Sequence, residues 1–482
     1  LSLGYWLGGR WADRDPRGTT FFQIIAWGAF LVGLIPSVSR PILNWSLQGF
    51  ATLTAGIMIG SLLGVLILFS VPMILLAMAS PFAIRLAVTH VEGSGKIAGS
   101  IYALSTLGSI LGTFLPVLIL IPNIGTRRTF LLFSAVLLII AIGGLFQNSK
   151  LKGCLYLLLL VLLIAHSLFW KAGLIKATPN TIFETESRYN YIQVEKDGDD
   201  ISLRLNEGIG IHSIYRPNHI LVSTIWDYFL LVPYFNPPPV TPDKIGGMLL
   251  IGSATGTVPK MYTAIFGPLP IDGVEIDPAI SKVGRRFFAM NEPNLTTFNQ
   301  DGRYFITHTD KCYHVIGVDA YRTPYIPFQL TTQEFFQEIY DHLNVNGITV
   351  VNAARSDTDY SLVVALGSTM KSSFPSVFVI DEPCGDLELG NSLVIATKQP
   401  AGLTNLVENA TYFHNRALIE VWQRALNSRI WEISCQPGRP FIAGIGDLPL
   451  NLPEECPPPF TDDKAPVEQV IHNLILRFML GK

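Results

Sequence analysis

Five stretches of mostly apolar residues dominate the first third of the chain: Thr20–Pro36, Met58–Ala79, Ile97–Ile121, Thr129–Phe146 and Leu151–Trp170. A spanning helix needs about 20 such residues, because no water inside a bilayer satisfies an open backbone. The pattern predicts an α-helical transmembrane bundle over residues 1–172. Ile42–Ile57 is apolar but broken by Asn44, Gln48 and threonines, and reads as an interfacial or re-entrant piece. Leu1–Gly9 reads as the end of an apolar helix, so the bundle is expected to be truncated at its amino end. Gly99, Ala103, Gly108 and Gly112 recur at helical spacing and predict close backbone approach. Pro72 and Pro81 predict kinks or a helix end. The centres of these stretches carry no acidic or basic residue, which weakens an ion-coupled carrier.

Beyond Ile182 the period changes. Thr181–Val194 and Ile201–Ile211 read as antiparallel strands around the turn Lys196-Asp197-Gly198-Asp199-Asp200, giving a small β-sheet subdomain over 181–235. Met248–Gly252 is a buried-type strand running into Gly252-Ser253-Ala254-Thr255-Gly256, with a helix-compatible stretch after it. Strand-like runs at Ile271–Ile276, Leu295–Phe298, His314–Val318, Ile348–Asn352, Ser376–Ile380 and Leu393–Lys398 predict a mostly parallel, Rossmann-like α/β domain over 244–450. A Pro-rich linker, Pro453–Pro459, and an amphipathic helix carrying Val467, Val470, Ile471, Leu474, Ile475 and Phe478 complete residues 451–482. That helix is expected to pack on the domain or on a neighbouring subunit, so a homo-oligomer is in view.

In sheets of this kind the ligand lies beyond the carboxyl ends of the strands, and glycines in the first turn let the backbone approach it. Gly252 and Gly256 supply that turn. Glu275 and Asp277 end the next strand, where an acid accepts from ribose hydroxyls, and Asp301-Gly302 form an acidic turn suited to an adenine amine. Asp319 ends the fourth strand. Each acid alone reads as a solvated residue or a helix cap. Their recurrence at successive strand ends predicts a nucleoside-bearing co-substrate site.

Composition and charge sharpen this picture. Charged residues make up only 15% of the 482, against roughly 25% in a soluble domain, and the deficit lies before Trp170. A net charge of −3 offers no basic face for nucleic acid. Cys154, Cys312, Cys384, Cys435 and Cys456 show no C-x-x-C spacing, so isolated reduced thiols are expected. His212, His308, His314 and His342 show no metal spacing. Arg10, Arg14 and Arg17 favour a cytoplasmic first loop, while Lys150/Lys152 and Lys171/Lys176 flank the last stretch evenly. The α/β domain is expected on the cytoplasmic side of the bilayer.

With these residues in place, the chain resembles the membrane-fused bacterial branch of the spermidine synthase family. Glu186-Ser187-Arg188-Tyr189-Asn190-Tyr191-Ile192 is similar to the family's opening strand, with Asn190 where Gln is usual. Gly252–Gly256 stands at the Gly-Gly-Gly-Asp-Gly turn, Val274-Glu275-Ile276-Asp277 at the ribose-binding strand end, and Asp301-Gly302-Arg303 at the adenine-binding turn. Tyr313–Asp319 resembles the strand of the catalytic aspartate. Ile326–Phe336 is similar to the lid, and Thr461–Glu468 to a late segment of the fused branch. Gly8–Arg17 resembles the Gly-x-x-Ala-Asp-Arg loop of major facilitator transporters.

The resemblance implies aminopropyl transfer from decarboxylated S-adenosylmethionine, a co-substrate rather than a resident cofactor, to a polyamine acceptor. Asp319 is the implied base, and the cofactor-side residues are Asn190, Gly252, Thr255, Gly256, Glu275, Asp277, Asp301 and Gly302. Besides Asn190, three further places depart from the family pattern. Thr255 replaces the turn's aspartate, Arg322 replaces the second acid of Asp-x-x-Asp, and Trp226-Asp227-Tyr228 stands for Tyr-(His/Gln)-Glu, with Asp227 a partial substitute on the acceptor side. A cation beside a diamine costs on the order of 1–4 kcal/mol at about 4 Å. An S-adenosylmethionine-dependent methyltransferase and a non-catalytic membrane transporter or sensor with a nucleoside-binding domain remain as alternatives, since fold does not choose among them.

Overall fold

The computed structural model describes residues 1–50, 56–88, 90, 93–169, 178–206, 210–322, 325–383, 389–449 and 451–479. Two compact units emerge, Leu1–Ala177 with Glu186–Arg188, and Thr178–Thr185 with Tyr189–Lys482. Cys384, Trp170, Lys171, Lys176 and part of Ile42–Ile57 lie outside the described residues.

The first unit is helical: α1 (Ser2–Arg14), α2 (Gly18–Phe50), α3 (Gly56–Ala77), α4 (Ala79–Ala87), α5 (Ser94–Leu115), α6 (Ile121–Asn148) and α7 (Lys150–Phe169). Among the described residues, four segments are long and apolar enough to cross a membrane: Gly18–Ile42, Ile59–Ala87, Ser94–Asn148 and Lys150–Phe169. The third contains two of the expected spans, divided at Gly125, whose φ of 80° and ψ of 162° interrupt the helix. The transporter-like loop at Gly8–Arg17 is mostly helical instead. Only Asp15, Pro16 and Arg17 lie between α1 and α2, because the glycines at 8 and 9 remain within the helical run. The expected small-residue packing face is displaced too. Among the described residues, Gly99, Gly108 and Gly112 have nothing within 4 Å of where a Cβ would stand, whereas Gly4, Gly8, Gly33 and Gly144 each abut another helix.

In the second unit, the two expected amino-terminal strands become four, β1 (Thr181–Glu186), β2 (Tyr191–Asp197), β3 (Asp200–Leu205) and β4 (Ser213–Tyr215), in one sheet of order β1-β2-β3-β4. The main sheet comprises β5 (Met248–Ile251), β6 (Ile271–Val274), β7 (Leu295–Phe298), β8 (Tyr313–Val318), β9 (Leu343–Ser356), β10 (Ser376–Asp381), β11 (Leu389–Thr397), β12 (Ile430–Gln436) and β13 (Arg439–Ile445). Its order is β13-β12-β10-β11-β9-β8-β5-β6-β7. The helices are α8 (Thr257–Phe266), α9 (Pro278–Phe287), α10 (Gly302–His308), α11 (Gln333–Asp341), α12 (Ser361–Lys371), α13 (Leu403–Ala410), α14 (Arg416–Leu426) and α15 (Val467–Met479). The sheet is mixed rather than mostly parallel. Pairing is parallel from β7 to β9 and antiparallel from β9 through β11, β10 and β12 to β13. Apolar runs alone do not report strand direction. Alternate side chains feed two cores: Leu249 and Ile251 on one face, Met248 and Leu250 on the other.

The Pro-rich stretch is a strap. Phe460 is buried, its backbone N–H donates to Thr369 Oγ1 over 3.0 Å, and its carbonyl accepts from Gln333 N over 2.8 Å. Cys435 and Cys456 form a disulfide with Cα atoms 5.4 Å apart, which corrects the expectation of isolated thiols. Their separation of 21 residues is closed by the strap folding back on β12, a contact no local spacing rule detects.

Candidate active site

The parallel strands end in register. Phe298 pairs with Val274, Val274 with Ile251, Ile251 with Val318, and Val318 with Val351. The next residue on each strand is therefore Asn299, Glu275, Gly252, Asp319 and Asn352, which form one row along the carboxyl edge of the sheet. Gly252 is obligatory there. Its φ is +86°, and a Cβ would stand 2.4 Å from the carbonyl oxygen of Asp319. Ala254 follows at φ +44°, a left-handed conformation costly to a residue with a Cβ. Gly256, at φ +89°, caps the amino end of α8.

Glu275 braces this turn. Its Oε2 accepts from Ala254 N at 3.1 Å and its Oε1 from Asp277 N at 3.1 Å. Burial pushes its carboxyl up to about 7 against those backbone donors. Asp277 is fully buried and caps α9 through Ala279 N at 2.9 Å, while its Oδ2 accepts from Asn190 Nδ2 at 3.0 Å. Asn190 thus reaches the site by anchoring the small sheet to the end of β6. Asp301 caps α10, its Oδ1 accepting from Arg303 N and Tyr304 N. Gly302 lies against Ile251, where a Cβ would stand 2.3 Å from Cγ2. Thr255 is buried, with its backbone N–H on Ser213 Oγ at 3.2 Å and its Oγ1 without a hydrogen-bond partner among the described residues.

Asp319 is half-buried and held by both oxygens. Trp226 Nε1 donates to Oδ2 at 2.7 Å and Asn352 Nδ2 to Oδ1 at 2.9 Å. Burial raises its carboxyl to about 6 despite these two donors. It is therefore ionised at neutral pH yet basic enough to take a proton.

The two acceptor-side residues behave otherwise. Asp227 lies in the 3-10 helix Ile225–Phe235 and is fully buried. It accepts from Val222 N at 2.9 Å and Ser223 N at 2.8 Å, and pairs with Arg424 at 2.5 Å. These partners engage both of its oxygens and tie it to the segment that carries Trp226. Arg322 is exposed, in a bridge with Tyr325.

Trp226 and Asn352 escaped the sequence reading as partners of the base. The strand-end rule applied to β9 would have found Asn352, but no local pattern announces that an indole 93 positions away meets Asp319.

Residues 267–380 match the spermine/spermidine synthase domain family. A probable polyamine aminopropyl transferase of Bifidobacterium longum is 30% identical over 294 residues, 60% of this chain and 62% of that protein. A polyamine aminopropyltransferase of Vibrio vulnificus is 30% identical over 166 residues, 34% of this chain and 52% of that protein. The chain thus spans under two thirds of either relative. The crystal structure of a probable spermidine synthase from Corynebacterium glutamicum aligns with a TM-score of 0.42 at 16% identity, covering 58% of this chain and 100% of that one. The family match takes in Glu275, Asp301, Asp319 and Asn352.

Proposed function

We propose that the α/β unit transfers an aminopropyl group from decarboxylated S-adenosylmethionine to an amine acceptor, and that the helical unit spans a membrane. The row Glu275, Gly252, Asp319, Asn352 carries the reading. It sets a nucleoside-type strand end one strand from a glycine turn, and the turn against a carboxylate of raised basicity. The relatives' activity supports the choice of reaction.

In this reading Glu275 accepts from ribose hydroxyls and Asp301 from the adenine amine. The acceptor nitrogen attacks the propyl carbon beside the sulfonium. The N–C bond forms as the C–S bond breaks, the electron pair goes to sulfur, and methylthioadenosine leaves as a neutral thioether. The new ammonium releases a proton to Asp319, whose orientation is fixed by Trp226 and Asn352. The membrane half of the proposal is supported by the four long apolar helical segments and by exposed apolar side chains such as Leu104, Leu107, Ile110, Leu111 and Phe114 on α5.

Calorimetry on the full chain tests the donor half. Methylthioadenosine and the decarboxylated donor are expected to bind more tightly than S-adenosylhomocysteine. A preference for S-adenosylhomocysteine would favour methyl transfer, and no nucleoside binding would end both readings.

A further inference from the structure

The carboxyl-terminal strap is tied down on both sides of its prolines. Cys456 is bonded to Cys435, which lies where β12 and β13 lose register, between Ile433 and Gln436. Beyond the prolines, the buried Phe460 is joined through its backbone to Thr369 Oγ1 on α12 and to Gln333 N at the start of α11. A tight turn follows, closed by reciprocal backbone bonds between Thr461 and Lys464. That turn presents Asp462. Its Oδ1 accepts from Thr332 Oγ1 and Arg303 Nη1, each at 2.7 Å, and its Oδ2 from Arg303 Nη2 at 2.8 Å. Its backbone N–H donates to Glu334 at 3.0 Å.

Arg303 carries that grip to the nucleoside end of the site. Its guanidinium also donates to Glu338 at 3.0 Å and to the Gln329 carbonyl at 3.3 Å. Its backbone N–H donates to Asp301 Oδ1 at 2.9 Å, beside the bond from Tyr304 N at 3.0 Å. Asp301 Oδ2 takes no hydrogen bond among the described residues, and is the oxygen left for a ligand. One bidentate pair, Arg303 with Asp462, therefore joins the strap to the first turn of α10, and such pairs fix orientation as well as adding energy. The Asp462 side chain is 43% exposed. A pair that open to water gives little unless its two partners are already held together.

We propose that Asp462 is a positioning residue for the turn at Asp301, and that the Cys435–Cys456 disulfide determines whether the strap holds it there. The inference rests on the nucleoside reading of Asp301 and adds a redox control to it. Both cysteines are half-buried, while Gln436, Pro437, Glu454 and Glu455 around them are exposed, so a small dithiol reaches the bond. Its thiolate attacks one sulfur, forming a mixed disulfide and releasing one cysteine. Its second thiol then displaces the other cysteine. Two electrons and two protons end on Cys435 and Cys456, and the reductant leaves as a disulfide. With the bond open, non-covalent contacts alone hold the strap, and forming the Arg303–Asp462 pair costs more conformational entropy.

The test is calorimetry on the full chain, below the unfolding midpoint of each form, with two probes. One is methylthioadenosine and the other methylthioinosine, in which a carbonyl replaces the adenine amine. Oxidised wild type is expected to prefer methylthioadenosine. Reduction with dithiothreitol, followed by thiol counting, should lower methylthioadenosine affinity about fivefold or more and leave methylthioinosine within about twofold. Oxidised Asp462→Asn should show the same selective loss. Cys456→Ser should match reduced wild type and no longer respond to dithiothreitol, which separates this bond from the other thiols. A methylthioadenosine affinity unmoved by reduction or by Asp462→Asn, or an equal loss of both probes, would overturn the proposal. Failure of the oxidised wild type to bind methylthioadenosine would instead remove the donor reading on which it rests.

Discussion

The indole Nε1 of Trp226 and the Oδ2 of Asp319 are 2.7 Å apart, and no charged group acts on that carboxylate among the described residues. The base is tuned by burial and two neutral donors alone. Trp226→Phe keeps the ring and removes one donor to the ionised form, so the Asp319 carboxyl should rise further. The acid limb of the turnover profile, expected near pH 6 in the wild type, should move up by about one unit, the worth of a hydrogen bond to a charged group. A pH–rate profile of methylthioadenosine release checks this, and an unmoved limb would remove Trp226 from the tuning.

Glu275 links function to stability with the opposite sign from a salt-bridged acid. Its carboxyl is raised from 4.5 to about 7 by burial, so folding favours its protonated form. Its contribution is fully present below pH 4.5 and is lost as pH rises through 7. Glu275→Gln should therefore be more stable than wild type by roughly 3 kcal/mol above pH 7, with the gap closing toward pH 4.5. Nucleoside affinity should fall in the same variant. Unfolding midpoints at several pH values, with calorimetry beside them, measure both.

Asp227 and Arg424 form a pair whose worth is structural. The carboxylate is fully buried and the guanidinium side chain 29% exposed. Removing one partner strands a buried charge, and breaking such a pair costs about 3–5 kcal/mol. Arg424→Met should destabilise the chain on that scale, and Asp227→Asn less, since the amide oxygen retains one acceptor. Nucleoside affinity should be kept in both. Denaturant unfolding decides, and a loss of amine binding with full stability would return Asp227 to the acceptor site.

How much of this was legible in the sequence follows from which interactions are local. The acid-bearing strand ends were readable because register is carried by short apolar runs, and Glu275, Asp301 and Asp319 fall where those runs stop. The helix caps were readable as alternatives, and Asp277 and Asp301 do cap α9 and α10. What was not readable depends on distant segments. Asp227 meets an arginine 197 positions on, the Cys435–Cys456 bond closes only when the strap folds back, and the antiparallel half of the sheet reverses direction without any change in apolar pattern. The small-residue stripe of α5 shows the converse, a clear local pattern with no partner among the described residues.

The central claim is that Asp319 takes the proton of the attacking amine in a site that binds the nucleoside independently of it. Single-turnover release of methylthioadenosine from the decarboxylated donor, compared between wild type and Asp319→Asn, tests it most directly. The account predicts a loss of about 10²–10⁴-fold in rate, the range of general base catalysis, with methylthioadenosine affinity essentially unchanged. An Asp319→Asn variant that turns over at the wild-type rate would contradict it.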